Sequence, residues 1–185
     1  MNQPVAIVRN LGFSLIELVM ILAISAVLLF VAIPSFSALV ISYRLTAISS
    51  NFLIGIQHTR TDAIRRSSRV VICKSADGAV CTGTGGWEQG WLIFSDIDND
   101  GVRDANEEIA IGSPALPAGF RLAGNLNVSD YISYTPHGGA KMTSGAFQSG
   151  TLTLCHINEK SGGRQIVINA TGRARIQKAS ANACT

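Results

Sequence analysis

The chain has 185 residues, four cysteines and a formal net charge of +3. This length provides for one folded domain beside an apolar N-terminal run and excludes a large multidomain protein. The charge is unevenly spread, because six of the twelve acidic residues lie between Asp96 and Glu108. The rest of the chain is therefore basic, which permits a polyanionic partner.

The N-terminal stretch combines a glycine-phenylalanine junction with a long uncharged run. The junction is Gly12-Phe13, Glu17 follows it, and no charged residue occurs from Leu18 to Val40. Residues 13–33 are numerous enough for a helix to cross a bilayer at about 1.5 Å per residue. A carboxylate in such a run is costly, so Glu17 requires a partner and indicates a function.

Two simpler interpretations explain this stretch less well. A secretory signal peptide has a shorter apolar core and a small-residue cleavage site. Here the run is longer, Glu17 interrupts its start, and no A-x-A-like site follows. A plain membrane anchor explains the apolar run, but it explains neither Glu17 nor the glycine-phenylalanine junction.

The junction, Glu17 and Pro34 together resemble the class III signal of type IV pilins and pseudopilins. The resemblance implies that residues 1–12 are a leader, that a prepilin peptidase cuts after Gly12, and that the new N-terminus at Phe13 is N-methylated. It also implies that Glu17 and Pro34 serve filament assembly, with Glu17 of one subunit neutralising the Phe13 amine of its neighbour. Either charge alone would be costly in an apolar filament core.

A helical pattern continues beyond Pro34. Apolar residues recur at spacings of three, four or seven from Leu45 to Ala63, and arginines cluster near the end, as suits a helix C-terminus. The sequence predicts one long helix from about Ser14 to Arg66. Its first half is apolar all round, and its second half is amphipathic, as expected of a helix that packs on a sheet. We assign residues 13–68 to this transmembrane and assembly helix.

The pattern becomes strand-like from Arg69, with Gly, Asn, Asp and Pro clusters between the segments. These features predict an α+β protein whose long N-terminal helix packs on an antiparallel, turn-rich β domain at residues 69–185. We expect Trp87 in a loop and Trp91 in the core. The predicted strands are 70–74, 91–95, 108–111, 120–122, 131–134, 151–156, 164–169 and 173–177.

The four cysteines form no C-x-x-C pair, and beyond an exporting anchor the compartment is oxidising, so disulfides are favoured over metal ligation. Of the three connectivities, we favour Cys73–Cys81 with Cys155–Cys184. The first pair closes a short loop. The second attaches the C-terminus to a strand, and its chain entropy corresponds to roughly 3–4 kcal/mol.

This layout resembles the GspH/FimT (FimU-like) family of minor pilins and pseudopilins. The resemblance rests on the loop from Cys73 to Cys81, the strand from Gly90 to Phe94, the acidic turn after it, and the segment from Thr171 to Arg175. It implies a type IV pilin fold and a structural subunit that helps to initiate or cap a type IV pilus, in pilus biogenesis, twitching motility and DNA uptake. The alternative within the family is minor pseudopilin H of a type II protein secretion system.

The same resemblance implies a location and partners. The protein would cross the bacterial inner membrane once, with its C-terminal domain in the periplasm, and would lie outside the cell when incorporated in a pilus. Its partners would be other major and minor pilins, besides the prepilin peptidase.

The acidic turn satisfies the calcium-loop pattern D-x-[DN]-x-[DN]-G-x₅-E in full. In such loops alternate oxygens converge on one cation, and the last Glu binds it bidentately. Two features depart from the usual loop: Arg103 replaces an apolar residue, and the flanks are strand-like. The alternative is a solvated Asp/Asn/Gly turn with no cofactor. The candidate calcium ligands are Asp96, Asp98, Asp100, Asp104 and Glu107.

The basic C-terminal segment offers a candidate DNA contact. Arg173 and Arg175 lie two apart on a predicted strand and would share one face, with Lys178 and Arg164 nearby. The segment resembles the Gly-Arg-x-Arg motif of the FimT branch, which implies that it binds incoming double-stranded DNA through phosphates during natural transformation. The alternative interpretation is an edge strand that its charges protect from unwanted pairing.

The sequence offers little for catalysis. His58, His137 and His156 lack ligand-like spacing, and neither G-x-S-x-G nor H-E-x-x-H occurs. Cys155 and His156 are adjacent on a predicted strand, so their side chains face opposite sides. We therefore predict a structural or binding protein rather than a membrane-anchored periplasmic enzyme.

Overall fold

The computed structural model describes residue 12 and residues 14–157, 159–180 and 182–184, with the backbone alone for residues 31–35 and 159–161. The described residues divide between two compact units, Met1–Val40 and Ile41–Thr185. The elements in chain order are one helix, two short 3-10 helices and eight strands: α1 (Leu15–Arg66), β1 (Arg69–Lys74), Trp87–Gln89, β2 (Trp91–Asp96), β3 (Ile109–Ser113), β4 (Phe120–Gly124), Leu126–Val128, β5 (Tyr131–Tyr134), β6 (Gly150–His156), β7 (Glu159–Ile168) and β8 (Ala174–Lys178).

The part of α1 within the second unit buries one stripe. Leu45, Phe52, Ile56 and Ala63 are almost fully buried and recur at helical spacing, as the amphipathic pattern predicts. The division between the units therefore falls inside α1 and not at its C-terminal end.

The C-terminal end of α1 is closed by backbone geometry. Ser67 adopts a left-handed conformation with φ of 51°, and the N–H of Ser68 donates to the carbonyl of Ala63 at 3.3 Å. This is the pattern in which a residue beyond the helix satisfies its last carbonyls. Arg65 and Arg66 occupy the last turn, where positive charge stabilises the helix.

The first sheet has the order β3-β2-β1-β5, and its pairings are antiparallel. Its central strand β1 is buried at every position after Arg69. Continuous burial means that both faces of the sheet are covered. One face joins the main core, and the other forms a small cluster of Val71, Cys73, Leu92 and Phe94.

The second sheet has the order β4-β6-β7-β8 and is also antiparallel. Along β6 the fully buried positions are Leu152 and Leu154, and they alternate with partly exposed Thr151, Thr153 and Cys155. Alternation of this kind indicates that one face lies on the core and the other faces solvent.

One apolar core joins residues 41–66 of α1 to the inner faces of both sheets. At its centre Phe52 meets Trp87 and Trp91 edge-on, with ring centroids 5.2 and 6.0 Å apart. Trp87 lies in a 3-10 helix with no solvent exposure, and its Nε1 donates to the carbonyl of Val128 at 3.0 Å. We expected Trp87 in a loop and did not predict its burial, because the glycines around it are typical of an exposed turn.

A helical glycine sets the approach of α1 to this core. A Cβ atom added to Gly55 would lie 2.8 Å from Cη2 of Trp91. Real Cβ atoms do not approach other atoms so closely, so the indole occupies the space that a side chain at this position would need.

Two disulfides link Cys73 to Cys81 and Cys155 to Cys184, the favoured pairs. All eight predicted strand segments form strands, and the predicted α+β class is confirmed. The boundaries differ by one or two residues in most strands. β7 differs more, because it begins at Glu159, five residues before the predicted start at 164, and forms a longer hairpin with β6.

Candidate functional site

The N-terminal junction lies at the start of α1. Gly12 is exposed, while Phe13 lies outside the described residues. The hydroxyl of Ser14 accepts a hydrogen bond from the N–H of Glu17 at 3.3 Å. Ser14 thus caps the helix, and Glu17 stands at the third helical position, where a negative charge is favourable. Pro34 lies within α1, in the segment whose side chains are not described.

The first unit exposes a large apolar helical surface. Every residue of Leu15–Phe30 is exposed, including Leu15 at 83% and Phe30 at 85%. This stretch is apolar, and α1 continues beyond it through residues 31–35; a further described segment with the length and hydropathy to cross a membrane is Phe36–Arg66. The latter packs partly in the core of the second unit, whereas Leu15–Phe30 is exposed along its whole length.

The basic segment begins in a fixed turn between β7 and β8. The Asn169 side-chain oxygen accepts hydrogen bonds from the N–H of Arg173 at 2.9 Å and from the hydroxyl of Thr171 at 2.8 Å. The buried hydroxyl of Tyr134 donates to the carbonyl of Gly172 at 3.0 Å. Gly172 has φ of 80°, and an added Cβ would meet Tyr134 and Gly138. The turn therefore presents Arg173 from a rigid base.

Arg173 and Arg175 line one groove. This surface groove of about 320 Å³ is also lined by Val167, Asn169 and Ala174. Both arginines are exposed, and in the part of the chain that the structure describes neither takes part in an ion pair. Two guanidinium groups beside a small groove suit a phosphate or another polyanion.

Arg175 belongs to the outer face of the second sheet. Residues directly opposite in antiparallel strands share a face, so Arg175 lies on the same side as Val167 and Thr151. Among the described side chains of this outer face there is no carboxylate. The face comprises Arg121, Ala123, Thr151, Thr153, Cys155, Gln165, Val167, Arg175 and Gln177.

Arg121 is a basic residue of this face that the sequence analysis missed. It is exposed on β4, at the opposite edge of the sheet from Arg175. The alternation of Phe120, Arg121 and Leu122 already predicts that the Arg121 side chain points away from the core. Its position relative to Arg175 depends on the order of the strands in the sheet.

Arg164 and Lys178 lie elsewhere. They are register partners and belong to the opposite face of the sheet from Arg175, because Lys178 is three residues further along β8. Both line a cavity of about 200 Å³ beside Ser42. The Arg164 guanidinium donates to Thr46 Oγ1 at 3.2 Å and to the Gly162 carbonyl at 2.8 Å. The structure therefore separates them from the Arg173 groove.

The acidic turn brings three of its five candidate ligands together. One carboxylate oxygen each from Asp96, Asp98 and Glu107 lies within 4.8 Å of the others. Asp100 and Asp104 are exposed and do not belong to this group. The Asp100 carboxylate instead accepts a hydrogen bond from the N–H of Val102.

Asp96 is the most unusual member of this group. It has no solvent exposure, and one carboxylate oxygen accepts from the N–H of Gly101 at 3.2 Å. Burial, together with the Glu107 carboxylate, raises the pKa of Asp96 to about 6, against an opposing contribution from Arg69. Burial therefore disfavours the ionised form of this carboxylate.

The histidines lie apart from one another. His58 stands near Asp62, with 3.9 Å between Nδ1 and Oδ2, and the ring of His156 lies edge-on to Phe120. His137 is exposed in the turn after β5. The described part of the chain holds one group of three metal-type ligands, and no histidine belongs to it.

No curated protein matches the sequence of this chain. Two crystal forms of the type IV minor pilin FimU from Pseudomonas aeruginosa strain PAO1 have a similar fold. The P21 form is 18% identical over 74% of this chain and 89% of that chain, with a TM-score of 0.55. The P65 form is 17% identical over 74% and 93%, with a TM-score of 0.52.

The sequence model of one protein family also matches. That family is described as type II transport protein GspH, and the match covers residues 49–172, more than half of the chain. The matched region contains the last part of α1, the first sheet and strands β4, β6 and β7 of the second sheet, whereas Arg173 and β8 lie just beyond it. The chain therefore belongs to the GspH family.

Proposed function

We propose that this protein is a minor pilin or pseudopilin, a structural subunit that helps to initiate or cap a type IV pilus. The observation that carries the proposal is the continuous exposed apolar surface of Leu15–Phe30 in a chain of the GspH family. The fold shared with a type IV minor pilin supports it.

An exposed apolar helix requires a nonpolar environment. Each square ångström of apolar surface left in water costs about 25 cal/mol, so this surface drives the helix into a bilayer or against other helices. A subunit that moves from membrane to filament uses the same surface in both places. Glu17 is the charged exception, and it would pair with the Phe13 amine of a neighbouring subunit after cleavage at Gly12.

The proposed location follows from the same elements. The helix would cross the bacterial inner membrane once, with the β domain in the periplasm and, in a pilus, outside the cell. Both cysteine pairs are oxidised, which suits an oxidising compartment. Major and minor pilins and the prepilin peptidase are the proposed partners.

Replacing Glu17 in the native bacterium tests this function. We expect Glu17→Gln to insert in the membrane and to be cleaved, but to be depleted at least about tenfold from sheared filaments, because the neighbouring amine loses its counter-charge. Quantitative immunoblots of membrane and filament fractions measure this. Glu17→Asp, which keeps the charge, is the matched control.

Two outcomes would contradict the proposal. Glu17→Gln and wild type could be equally abundant in filaments, or deletion of the gene could leave piliation and protein secretion unchanged. Deletion that abolishes secretion but spares pili would instead identify a pseudopilin of type II secretion.

A second candidate function is DNA binding, as a receptor pilin in natural transformation. The observation that favours it is the groove of Arg173 and Arg175 on a face without described carboxylates. The rigid turn held by Asn169 and Tyr134 lowers the entropy lost when the arginines bind. Such contacts attract phosphates without reading base sequence.

Gel retardation of duplex DNA by the full chain in detergent tests this function. We expect Arg173→Gln/Arg175→Gln to weaken binding and to reduce the slope of log K against log salt by about 2, one unit for each lost phosphate contact. Arg44→Gln/Arg65→Gln removes the same charge from exposed positions of α1 and is the control. Equal loss in both double variants would show that net charge, and not the groove, binds DNA.

A further inference from the structure

The connection between β2 and β3 places two acidic side chains inside the protein. Asp96 ends β2 with no solvent exposure, and Glu107 precedes β3 with 2% exposure. Asp98 stands between them at the surface. Ionisable groups are rarely buried without a partner of opposite charge, so this arrangement calls for an explanation.

The protein itself satisfies these carboxylates incompletely. Asp96 Oδ1 is buried and has no hydrogen-bond partner. No ion pair in the described part of the chain involves Asp96, Asp98 or Glu107. Arg69 lies opposite Asp96 on β1, but its guanidinium donates to Asn99, Ser133 and Lys141 instead.

The backbone of the turn already has the form that a cation would need. Gly101 has φ of 78°, and its N–H donates to Asp96 Oδ2 at 3.2 Å. This folds the chain back so that Asp96, Asp98 and Glu107 converge within 4.8 Å. Glu107 is fixed by N–H donors from Ile97 at 2.6 Å and Asp104 at 3.0 Å, and its carboxylate retains further lone pairs.

Arg103 does not compete for the centre of this group. Its guanidinium donates to the backbone carbonyls of Glu107 and Ala79, at 3.0 and 3.3 Å for the shortest contact to each. The departure from the usual sequence of a calcium loop is therefore accommodated outside the ligand set.

We propose that Asp96, Asp98 and Glu107 bind one calcium ion that locks the β2–β3 connection. The unpartnered Asp96 Oδ1 supplies one ligand oxygen, and Asp98 and Glu107 supply others. Small shifts of the exposed Asp100 and Asp104 side chains and of the Val102 carbonyl complete the coordination shell. This site is independent of filament assembly and of DNA binding.

The chemistry favours calcium over other cations. All ligands are oxygen, which suits a hard cation, and the group contains no nitrogen or sulfur donor for zinc. Calcium accepts irregular geometry and six to eight ligands, whereas magnesium requires a near-ideal octahedron. Extracellular calcium modules bind with Kd of about 10⁻⁴–10⁻³ M, and we expect this range here.

Thermal unfolding of the full chain in detergent tests the site. After EDTA treatment, we expect about 10 mM CaCl₂ to raise Tm, because only the folded state binds the ion. KCl of equal ionic strength should not raise it. Terbium should bind in place of calcium and emit by energy transfer from Tyr131, whose ring lies near Gly101. Added calcium should quench this emission.

Asp98→Asn is the informative variant, because Asp98 is exposed and its loss should leave the calcium-free fold intact. We expect its calcium Kd to rise by about tenfold or more while its Tm in EDTA stays that of wild type. Asp77→Asn changes the same charge at an exposed carboxylate outside the turn and should respond to calcium as wild type does. The proposal is overturned by a wild-type Tm that calcium leaves unchanged, by a response to magnesium alone, or by an Asp98→Asn variant that binds as tightly as wild type.

Discussion

The two sheets of the β domain share one core but differ in what covers their other faces. The first sheet is buried on both sides, with Val71, Leu92 and Phe94 packed beneath the loop that the Cys73–Cys81 disulfide closes. The second sheet is buried on its inner side, and its outer face, which the Cys155–Cys184 disulfide joins to the C-terminal segment, carries exposed Arg121 and Arg175. Covered faces contribute to stability, while an open face remains available for a partner.

The polar groups of the two sheets differ in their exposure to solvent. Around the first sheet several polar groups are buried, as are Asp96 and Lys74, the latter paired with Asp130 at 2.7 Å. On the outer face of the second sheet they are exposed, and the structure leaves them accessible. A change near the first sheet should therefore alter stability, and a change on the outer face should alter binding.

The largest effect should come from the residue that both sheets share. Phe52→Ala removes the ring that contacts Trp87 and Trp91, and we expect the free energy of unfolding to fall by about 3–5 kcal/mol. Circular dichroism should show one transition at lower temperature, since both sheets depend on this core. Leu126→Ala, at a side chain that is 95% exposed, is the control. Two separate transitions would contradict a shared core.

Each sheet carries one disulfide, so removing them one at a time compares the stability that each contributes. Cys155–Cys184 spans 29 residues and Cys73–Cys81 spans 8. Chain entropy alone assigns about 3.6 kcal/mol to the first and about 2.5 kcal/mol to the second. Cys155→Ala/Cys184→Ala should therefore lower Tm more than Cys73→Ala/Cys81→Ala in parallel melts. If Cys73→Ala/Cys81→Ala lowers Tm more, the burial of Cys73 contributes more to stability than the difference in loop length.

The Lys74–Asp130 ion pair near the first sheet should make the stability of the protein depend on pH. Burial acts to raise the pKa of Asp130, but hydrogen bonds from Lys74 and Ser129 outweigh it and hold the pKa below its usual value. The stabilisation is thus present above the unfolded pKa of about 3.9 and is lost as pH falls through the lower folded value. Because Asp130 is half exposed, Asp130→Asn should cost only about 1–2 kcal/mol near neutral pH.

Melts at pH 7 and at acid pH measure this effect. The difference in Tm between Asp130→Asn and wild type should shrink toward the acid limit. A difference that stays constant with pH would mean that the charge of Asp130 contributes nothing.

The smallest stability effect should come from the turn that presents Arg173. Tyr134→Phe removes the hydrogen bond to the Gly172 carbonyl, which should cost about 0.5–1.5 kcal/mol. If the arginine groove binds DNA, the looser turn should also weaken retardation several-fold. Tyr131→Phe, which removes a hydroxyl bonded to Thr143, should alter stability similarly and leave DNA binding unchanged. If both variants bind DNA equally well, the rigidity of the turn does not contribute to DNA binding.

Much of this architecture could be predicted from local pattern. The helix and the eight strand segments follow from periodicity and turn residues, and the pairing favoured among three disulfide connectivities is the one in the structure. The grouping of Arg164 and Lys178 with Arg173 was not reliable. Lys178 is an odd number of residues beyond Arg175 on β8, so its side chain faces the other way, and the face of Arg164 depends on its register with Lys178. The role of Arg121 depended on strand order, which no local pattern contains.

The acidic turn was also predicted only in part. Its motif identified Asp96, Asp98 and Glu107 correctly as neighbours, since spacing and a glycine determine how a short loop folds. The motif contained no information on the burial of Asp96 or on its unpartnered oxygen. Those depend on what packs above the loop from distant parts of the chain.

Gly55 has a consequence for anyone who wishes to make this protein more robust. Replacing a helical glycine with alanine ordinarily gains about 0.5–1 kcal/mol, so an engineer would choose this position early. Here the added methyl group would press on the Trp91 indole, whose neighbour Phe52 cannot retreat without opening the core. The residue that weakens the isolated helix is the one that lets the helix fit, and thermostabilising designs should leave it unchanged.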